Sequence, residues 1–532
     1  MTEAALAPAA RQATQFELDQ KRIARRYAAE RRFRAYGLAA IALTAVFIAV
    51  VIVDIVGKGL PAFWQHSLTL DIPVSAEAVD PAGSRDPAKM ATEGDFAVPI
   101  RDALSAAFPG NTSRAQRRLL TGLVSTGASE QLRERVTADP RMVGSTVRMP
   151  VLLSADSDLY FKGRETRSST TAGATALTVV GTAGEVKLTA AASSAFAAAL
   201  AAAGLPGTAV TLDTSKPSLL VSVNGGIVKL ASVDGAVATG TTLLPLAAEG
   251  AVKAGDWRIV TLMTPEANRR IGDQQAAWLD ALKARGQVEG HFAWRLFTAG
   301  DSREPELAGI RGAIIGSALT LLVTLALCLP LGVAAAVYLE EFAPKNRLTE
   351  IVEVNINNLA AVPSIVFGLL GLAMFLNFFG LPRSAPLVGG LVLALLVLPT
   401  IIIASRAALK AVPPSIKEAA LGVGASHQQA VFHHVLPVAM PGVMTGTIIG
   451  MAHALGETAP LLMIGMVAFI VDIPSGITQA ATVLPVQIYL WSDLPELAFQ
   501  AKTAAAIMVL LVFLFIMNGL AIVLRRRFER RW

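Results

Sequence analysis

The sequence is poor in cysteine and lacks the motif of nucleotide hydrolysis. Cys328 is the single cysteine among 532 residues, so an internal disulfide is excluded. The pattern G-x-x-x-x-G-K-[ST], whose backbone N–H groups and lysine hold the phosphates of ATP, does not occur. Metal-ligand spacings and nucleophile motifs do not stand out either. We therefore predict no catalytic residue, no metal site and no bound cofactor, and hence a protein that is not an enzyme.

Charged residues are also scarce. They make up 16% of the chain, against 53% hydrophobic residues, and the mean hydropathy is +0.53. A soluble chain of this length is less apolar. Crossing a bilayer as a helix takes about 20 apolar residues. The sequence therefore predicts an α-helical polytopic membrane protein with about six transmembrane helices, at residues 37–57, 310–339, 355–379, 386–409, 438–470 and 502–524.

Lys and Arg are concentrated at the two ends of the chain. The segment 1–36 and the tail 526–532 are both basic, whereas 471–500 contains neither residue type. Because Lys- and Arg-rich flanks of membrane spans stay in the cytoplasm, we expect both termini to be cytoplasmic in a bacterial inner membrane. The first span, 37–57, is expected to remain as an anchor and not to be cleaved as a signal peptide. Basic tails beside membrane spans are attracted to anionic lipid headgroups. The lipid bilayer is therefore an expected partner, and nucleic acid is not.

A long insertion, 58–308, separates the first span from a predicted five-helix core at 309–525 and is expected outside the cytoplasm. It is long enough to fold as a domain, and its patterns predict an α+β fold. Short strand-like runs occupy about 170–260, where Asn224-Gly225 is typical of a hairpin turn. Helical patterns are predicted at 99–109, 112–138, 192–204 and 264–285. Its role stays open between a spacer or docking platform and a small-molecule sensor.

The polar loop 410–437 lies between two of the predicted spans and reads EAALGVGASHQQAVFHHVLP over its last twenty residues. Ser415 with Glu418 has the spacing of a helix capping box, and so has Ser426 with Gln429. The loop therefore predicts two short helices.

The breaks between these helices are also marked in the sequence. Gly422 and Gly424 are expected to end the first helix, and Pro437 the second. The result is a cytoplasmic helix-turn-helix elbow with the shape needed to transmit force from a soluble partner.

An ionisable pair is predicted within the fifth span. Glu457 lies inside the apolar run, where a carboxylate costs about 2.5–3.5 kcal/mol on insertion scales. His453 precedes it by four residues, so both side chains share one helix face. The pair indicates an interior pathway, an interhelical hydrogen bond that holds the bundle together, or both.

The loop resembles the EAA loop of bacterial ABC importer permeases, which share Glu-Ala-Ala, a following Gly and a terminal Leu-Pro. The resemblance covers roughly 290–525, through YLEEFAP at 338–344, VPSIVFGLLG at 362–371 and GETAPLL at 456–462. Together these motifs are similar to those of phosphate-specific ABC importer permeases of the PstA type, here with an extended insertion.

The resemblance implies a subunit that imports inorganic phosphate by alternating access. It implies a heterodimer with a companion permease subunit, a cytoplasmic ATPase dimer that hydrolyses ATP, and a periplasmic phosphate-binding protein. The ATPase-coupling residues it implies are Ser415, Glu418, Ala419, Ala420, Gly424 and Pro437. The translocation-pathway residues it implies are His453, Glu457 and Thr458, with His453 at a position where relatives often carry Arg.

Other functions remain open. The chain could be a permease subunit of the same kind of importer for another oxyanion, such as sulfate or molybdate. A membrane-anchored sensor that uses the insertion as its receptor is an alternative of another class, and a secondary transporter is a third.

Overall fold

The computed structural model describes residues 6–110, 113–205, 207, 209–467 and 469–528. The chain divides into two units, Met1–Lys58 and Gly59–Trp532. The first unit is formed by one long helix, α1, with bounds Leu6–Gly59. At 1.5 Å per residue its 54 residues extend over about 80 Å, and the predicted span 37–57 lies within it.

The insertion is an α+β segment, as predicted. Its strands form two antiparallel sheets, one in the order β12-β1-β2 and one in the order β10-β4-β5-β9-β8-β7-β11-β3, with β6 paired to β8. Its helices are α2 Ala76–Val79, α3 Pro87–Glu93, α4 Ala97–Ala107, α5 Arg114–Thr121, α6 Gly127–Ala138, α7 Ala155–Phe161, α8 Ala197–Ala202, α9 Asp273–Ala284 and α10 Arg295–Thr298. Its strands are β1 Trp64–Pro73, β2 Thr146–Leu152, β3 Ser168–Ala172, β4 Leu177–Val180, β5 Glu185–Ala190, β6 Ala209–Thr211, β7 Ser218–Val223, β8 Gly226–Asp234, β9 Val237–Leu244, β10 Gly250–Val252, β11 Arg258–Leu262 and β12 Val288–Phe292.

The strand-like runs predicted at about 170–260 correspond to strands of the larger sheet. The hairpin between β7 and β8 turns at Asn224 and Gly225, whose φ angles of 46° and 74° are those of the predicted turn. The prediction of one helix at 112–138 is wrong, because the structure has two separate helices there, α5 and α6. Between them Ser125 N–H donates to Leu152 O at 2.9 Å, so the chain leaves the helix to bond the end of β2.

A small cluster of charges lies at the base of the insertion. Asp158 in α7 accepts hydrogen bonds from the His66 backbone N–H at 2.9 Å and from Lys162. His66 Nδ1 is 2.8 Å from the same carboxylate. Burial by itself raises the pKa of Asp158, but the bonds from His66 and Lys162 outweigh it and hold that pKa below its ordinary value.

Segment 299–310 connects the insertion to the membrane helices and is anchored on both sides. Trp491 Nε1 donates to Asp301 Oδ1 at 3.0 Å, and Gln65 Nε2 donates to Glu306 O at 3.0 Å. Lys502 donates to Ala308 O. These bonds hold the connection firmly, because each links a buried or half-buried side chain to a segment distant in the sequence.

The membrane core follows the insertion. Within the described residues, five helices are long and apolar enough to span a bilayer, or six if one bent pair counts as a span. The helices are α11 Arg311–Val337, α12 Arg347–Ala360, α13 Ser364–Gly371, α14 Pro386–Lys410, α15 Pro414–Gly422, α16 His427–Ala430, α17 Leu436–Gly456, α18 Ala459–Met463, α19 Leu484–Ser492 and α20 Leu497–Phe528. Wider π-helical turns extend three of them, at Tyr338–Phe342, Leu372–Phe378 and Val431–Val435.

The predicted span at 355–379 is not one continuous helix. Helices α12 and α13 meet at an angle of 101°. Pro363 stands at the break with an extended ψ of 137°. A proline has no N–H to donate to the carbonyl four residues earlier, and it disfavours helical geometry in the residue before it. The result is a bent pair in place of one straight helix.

The predicted run 438–470 is also divided. Helix α17 ends at Gly456, and Glu457 has an extended backbone with ψ 123°. In a continued helix, Pro460 would have to donate to Gly456 O and its ring would clash with that carbonyl. The break therefore falls within GETAPLL, and Glu457 lies at the helix end instead of inside the helix.

Small residues let the long helices approach closely. A Cβ built on Gly390 of α14 would lie 2.5 Å from Val323 of α11, and one on Gly446 of α17 would lie 2.2 Å from the Cβ of Ala404. Such contacts are typical of membrane helix packing, in which small residues bring backbones together. Helices α11, α14 and α17 thus form the centre of the core.

Candidate functional site

The first elbow helix begins two residues earlier than the predicted capping box requires. Helix α15 starts at Pro414, directly after Pro413, whose ψ of 131° is extended. Proline suits the first helical position because its missing N–H would have no partner there. Ser415 is therefore the second residue of the helix, and the predicted Ser415–Glu418 capping box is wrong.

The turn and the second capping box are as predicted. Gly424 has a φ of 91°, a left-handed conformation that ends α15 and that residues with a side chain rarely adopt. Ser426 Oγ accepts from Gln429 N–H at 3.2 Å, and Gln429 Oε1 accepts from Ser426 N–H at 2.9 Å. These reciprocal bonds start α16.

Pro437 does not end the second elbow helix. Residues from His427 to Gly456 form one helical run of 30 residues, so the elbow continues directly into the membrane core. The π-helical turn Val431–Val435 lies just before the proline. We attribute the continuity to that wider turn, which relieves the clash between the proline ring and the carbonyl of His433.

The outer surface of the elbow is apolar at its tip. Glu418 and Ala419 are exposed, whereas Ala420 packs inside with 5% exposure. Val423 is 87% exposed and Leu421 41%. An exposed valine between two glycines was visible in the sequence but was not singled out there. It gives the elbow a protruding apolar contact.

The inner surface of the elbow is held by charges that the sequence analysis did not identify. Lys417 Nζ lies 2.5 Å from Glu341 Oε2, and His427 Nε2 lies 2.9 Å from Glu341 O. Next to these, Arg406 is 3.4 Å from Glu340 Oε2. The adjacent glutamates of YLEEFAP were the available signal, but their partners are more than 60 residues away.

The second candidate region is the break after α17. His453 Nε2 and Glu457 Oε1 are 2.8 Å apart, so the predicted contact between these side chains is present. Thr458 is the N-cap residue of α18, and its carbonyl accepts from the N–H groups of Leu461 and Leu462. The structure thus brings His453, Glu457 and Thr458 together at one end of α17.

The break is fixed from the other side by α13. A Cβ built on Gly368 would lie 2.7 Å from the Cα of Pro460 and 2.9 Å from the Cβ of Met463. Because α13 and α18 touch this closely, the segment that carries Glu457 has little freedom to shift. The arrangement offers a fixed carboxylate paired with an exposed imidazole, suited to contact with a polar or charged solute.

The family described as "Binding-protein-dependent transport system inner membrane component" matches residues 328–530. A second family, "Domain of unknown function (DUF3333)", matches residues 20–171. The first match contains both the elbow and the break after α17.

Two bacterial relatives are similar to part of this chain. "Phosphate transport system permease protein PstA 1" of Mycobacterium tuberculosis (strain CDC 1551 / Oshkosh) is 30% identical over 238 residues, which are 45% of this chain and 77% of the relative. "Probable ABC transporter permease protein YqgI" of Bacillus subtilis (strain 168) is 36% identical over 155 residues, 29% of this chain. The chain spans about half of that second relative, 52% of its length.

Among solved structures, an inward-facing conformation of the MetNI methionine ABC transporter is 19% identical to this chain. The match covers 42% of this chain and 96% of that one, with a TM-score of 0.34.

Proposed function

The chain belongs to the family of inner-membrane permease components of binding-protein-dependent ABC transport systems, and we propose that it is one permease subunit of an importer for inorganic phosphate. In this proposal the chain forms half of a translocation pathway and a companion permease forms the other half. A separate cytoplasmic ATPase dimer hydrolyses ATP, and an extracytoplasmic binding protein delivers phosphate.

The observation that carries the proposal is the elbow at 410–437. Its tip projects Val423 with 87% of the side chain exposed, while both ends continue into long membrane helices, α14 and α17. A soluble partner that grips the tip would therefore move the two helices that lie at the centre of the core. Ser415, Glu418, Ala419 and Gly424 would form or shape the gripped surface, with Ala420 and Pro437 packed behind it. Alternating access would follow from rigid-body movement of these helices.

Phosphate as the cargo is supported by the similarity to a phosphate transport permease and by the residues at the break after α17. His453 and Glu457 form a polar pair beside Thr458, in a region that is otherwise apolar. A protonated His453 and hydrogen bonds from Thr458 and nearby backbone groups would stabilise a partly dehydrated anion. We assign the translocation pathway to these three residues.

The basic ends of the chain support a topology with both termini in the cytoplasm. The bent pair α12–α13 then counts as one span, and the elbow lies on the cytoplasmic side. The insertion 58–308 lies on the opposite side, where it would serve as a docking platform for the binding protein. Its anchoring through Trp491 and Lys502 suits a platform that moves with the membrane core.

The test is uptake of radiolabelled phosphate into proteoliposomes. They hold this chain with its companion permease and ATPase, with ATP inside and the binding protein outside. ATP-dependent uptake that excess sulfate and molybdate do not reduce is the expected result. Competition by either oxyanion would mean that the importer carries a different substrate, while the proposal that the chain is an importer subunit would stand. A complex that hydrolyses ATP without moving any anion would contradict the proposal and favour a sensor that uses the insertion.

A further inference from the structure

Glu341 contacts both helices of the elbow at once. It lies in the π-helical turn Tyr338–Phe342 that continues α11. Its carboxylate reaches Lys417 in α15, and its carbonyl reaches His427 in α16. We propose that Glu341 is a positioning residue for energy coupling, a latch that joins the elbow to the end of α11 so that movement of the elbow becomes movement of α11. This inference rests on the proposed function, because it concerns how a partner's force enters the membrane core.

The ionic half of the latch is largely shielded from water. Lys417 Nζ and Glu341 Oε2 are 2.5 Å apart, and the side chains are 30% and 10% exposed. Salt screens such a partly buried pair less than a fully exposed one. The contact therefore holds α15 more firmly than an ordinary surface ion pair, whose effect is small.

The second half of the latch is a directional hydrogen bond. The Glu341 carbonyl can only accept, so the imidazole of His427 donates to it from Nε2 across 2.9 Å. The ring of Phe342 meets the same imidazole edge to face, with centroids 5.0 Å apart. The N-terminal residue of α16 is thus fixed against the end of α11.

The neighbouring glutamate extends the latch to the adjoining helices. Glu340 lies 3.4 Å from Arg406 and 3.6 Å from Lys410, both in α14. Arg406 also lies 2.7 Å from Glu353 in α12. The charges that face one another here therefore connect the end of α11 to α12 and α14 near the base of the elbow.

The two elbow helices depend on the latch to different degrees. Val431 and Val435, in the turn after α16, are buried together with Val337 and Leu409, so apolar packing also holds the second helix. On the first helix, Ala420 is buried and Lys417 supplies the charge contact. Loss of the Glu341–Lys417 pair should therefore loosen α15 and leave α16 seated.

The test measures phosphate uptake and ATP hydrolysis in the same reconstituted complex. For Glu341→Gln, which keeps the carbonyl contact to His427, we expect ATP hydrolysis within about twofold of wild type and about tenfold less phosphate moved per ATP. A tenfold change corresponds to about 1.4 kcal/mol, close to the lower end of the range for a hydrogen bond to a charged group. Lys417→Gln should give the same loss. Lys417→Arg and the charge exchange Glu341→Lys with Lys417→Glu should recover most of the coupling.

The matched control is Glu350→Gln, which removes an exposed carboxylate from the first turn of α12. It should leave the ratio of phosphate to ATP unchanged. Equal losses of uptake and hydrolysis in Glu341→Gln, or failure of both Lys417→Arg and the charge exchange to recover coupling, would overturn the latch. If the wild-type complex carries another oxyanion, the phosphate assignment fails, and the latch is judged on the same ratio measured with that oxyanion.

Discussion

His453 Nε2 lies 2.8 Å from Glu457 Oε1 across the end of α17, with the His453 side chain 60% exposed and the Glu457 side chain 19%. The two residues occupy different settings, because His453 belongs to the last helical turn and Glu457 to the extended segment that follows. The imidazole is therefore available to a solute or a second subunit, while the carboxylate behind it holds it in place.

We expect Glu457→Gln to lower phosphate uptake by about ten- to a hundredfold, because it removes a charge-assisted hydrogen bond of about 1.5–3 kcal/mol. The complex should still assemble with its ATPase. Uptake in proteoliposomes and co-purification of the ATPase measure the two effects. His453→Arg is the matched variant that places a permanent cation at this position, and it should retain transport. A Glu457→Gln chain that no longer assembles would make Glu457 a structural residue instead.

Gly424→Val should abolish uptake while the protein still inserts into the membrane. The space around Gly424 is open, so the penalty comes from its φ of 91°, which a β-branched residue tolerates poorly. Gly422→Ala is the control, since Gly422 lies at the end of α15 in similarly open space. Membrane yield and uptake are measured for both variants. If Gly424→Val transported phosphate like the wild type, the shape of the elbow would not be needed for transport.

Val423→Asp should weaken the ATPase contact by about 2–4 kcal/mol, the range of an interface hot spot, because it places a charge at the apolar tip of the elbow. The readout is the concentration of ATPase needed for half-maximal binding to the detergent-solubilised permease. Val180→Asp, at an exposed position of β4 in the insertion, is the control and should bind normally. Unchanged binding by Val423→Asp would place the docking surface elsewhere.

Asp158→Asn should destabilise the insertion by about 1–3 kcal/mol at neutral pH, because the bonds from His66 and Lys162 favour the charged carboxylate. The folded-state pKa of Asp158 lies below its ordinary value of 3.8. Its contribution is therefore complete well above pH 3.8 and is lost as the pH falls through the lower folded value. Thermal unfolding in detergent should show a difference between variant and wild type at neutral pH that shrinks below about pH 4. A difference that grows on acidification would contradict this assignment.

Several features were predictable because they depend on neighbours in the sequence. The apolar runs at 310–339, 386–409 and 502–524 correspond to helices, since about 20 apolar residues suffice to define a span. The Ser426–Gln429 box and the Asn224-Gly225 turn were likewise correct.

The errors have local and distant causes. Pro363 and Pro460 interrupt runs that hydropathy alone joins, and Pro437 lies in a helix that a π-helical turn keeps continuous. The sheet β12-β1-β2 was missed because β1 pairs with a strand more than 200 residues later.

The sequence by itself determined that the chain is a membrane protein with a permease motif, an elbow and a polar pair four residues apart, because each of these depends on composition or short spacing. Only the tertiary structure decided which residues Glu341 contacts. Lys417 is 76 residues from it and His427 is 86, and spacing along a chain does not predict contacts at such separations. Packing of α11 against α14 brings the three residues together, because the glycines at that interface allow the helices to approach closely.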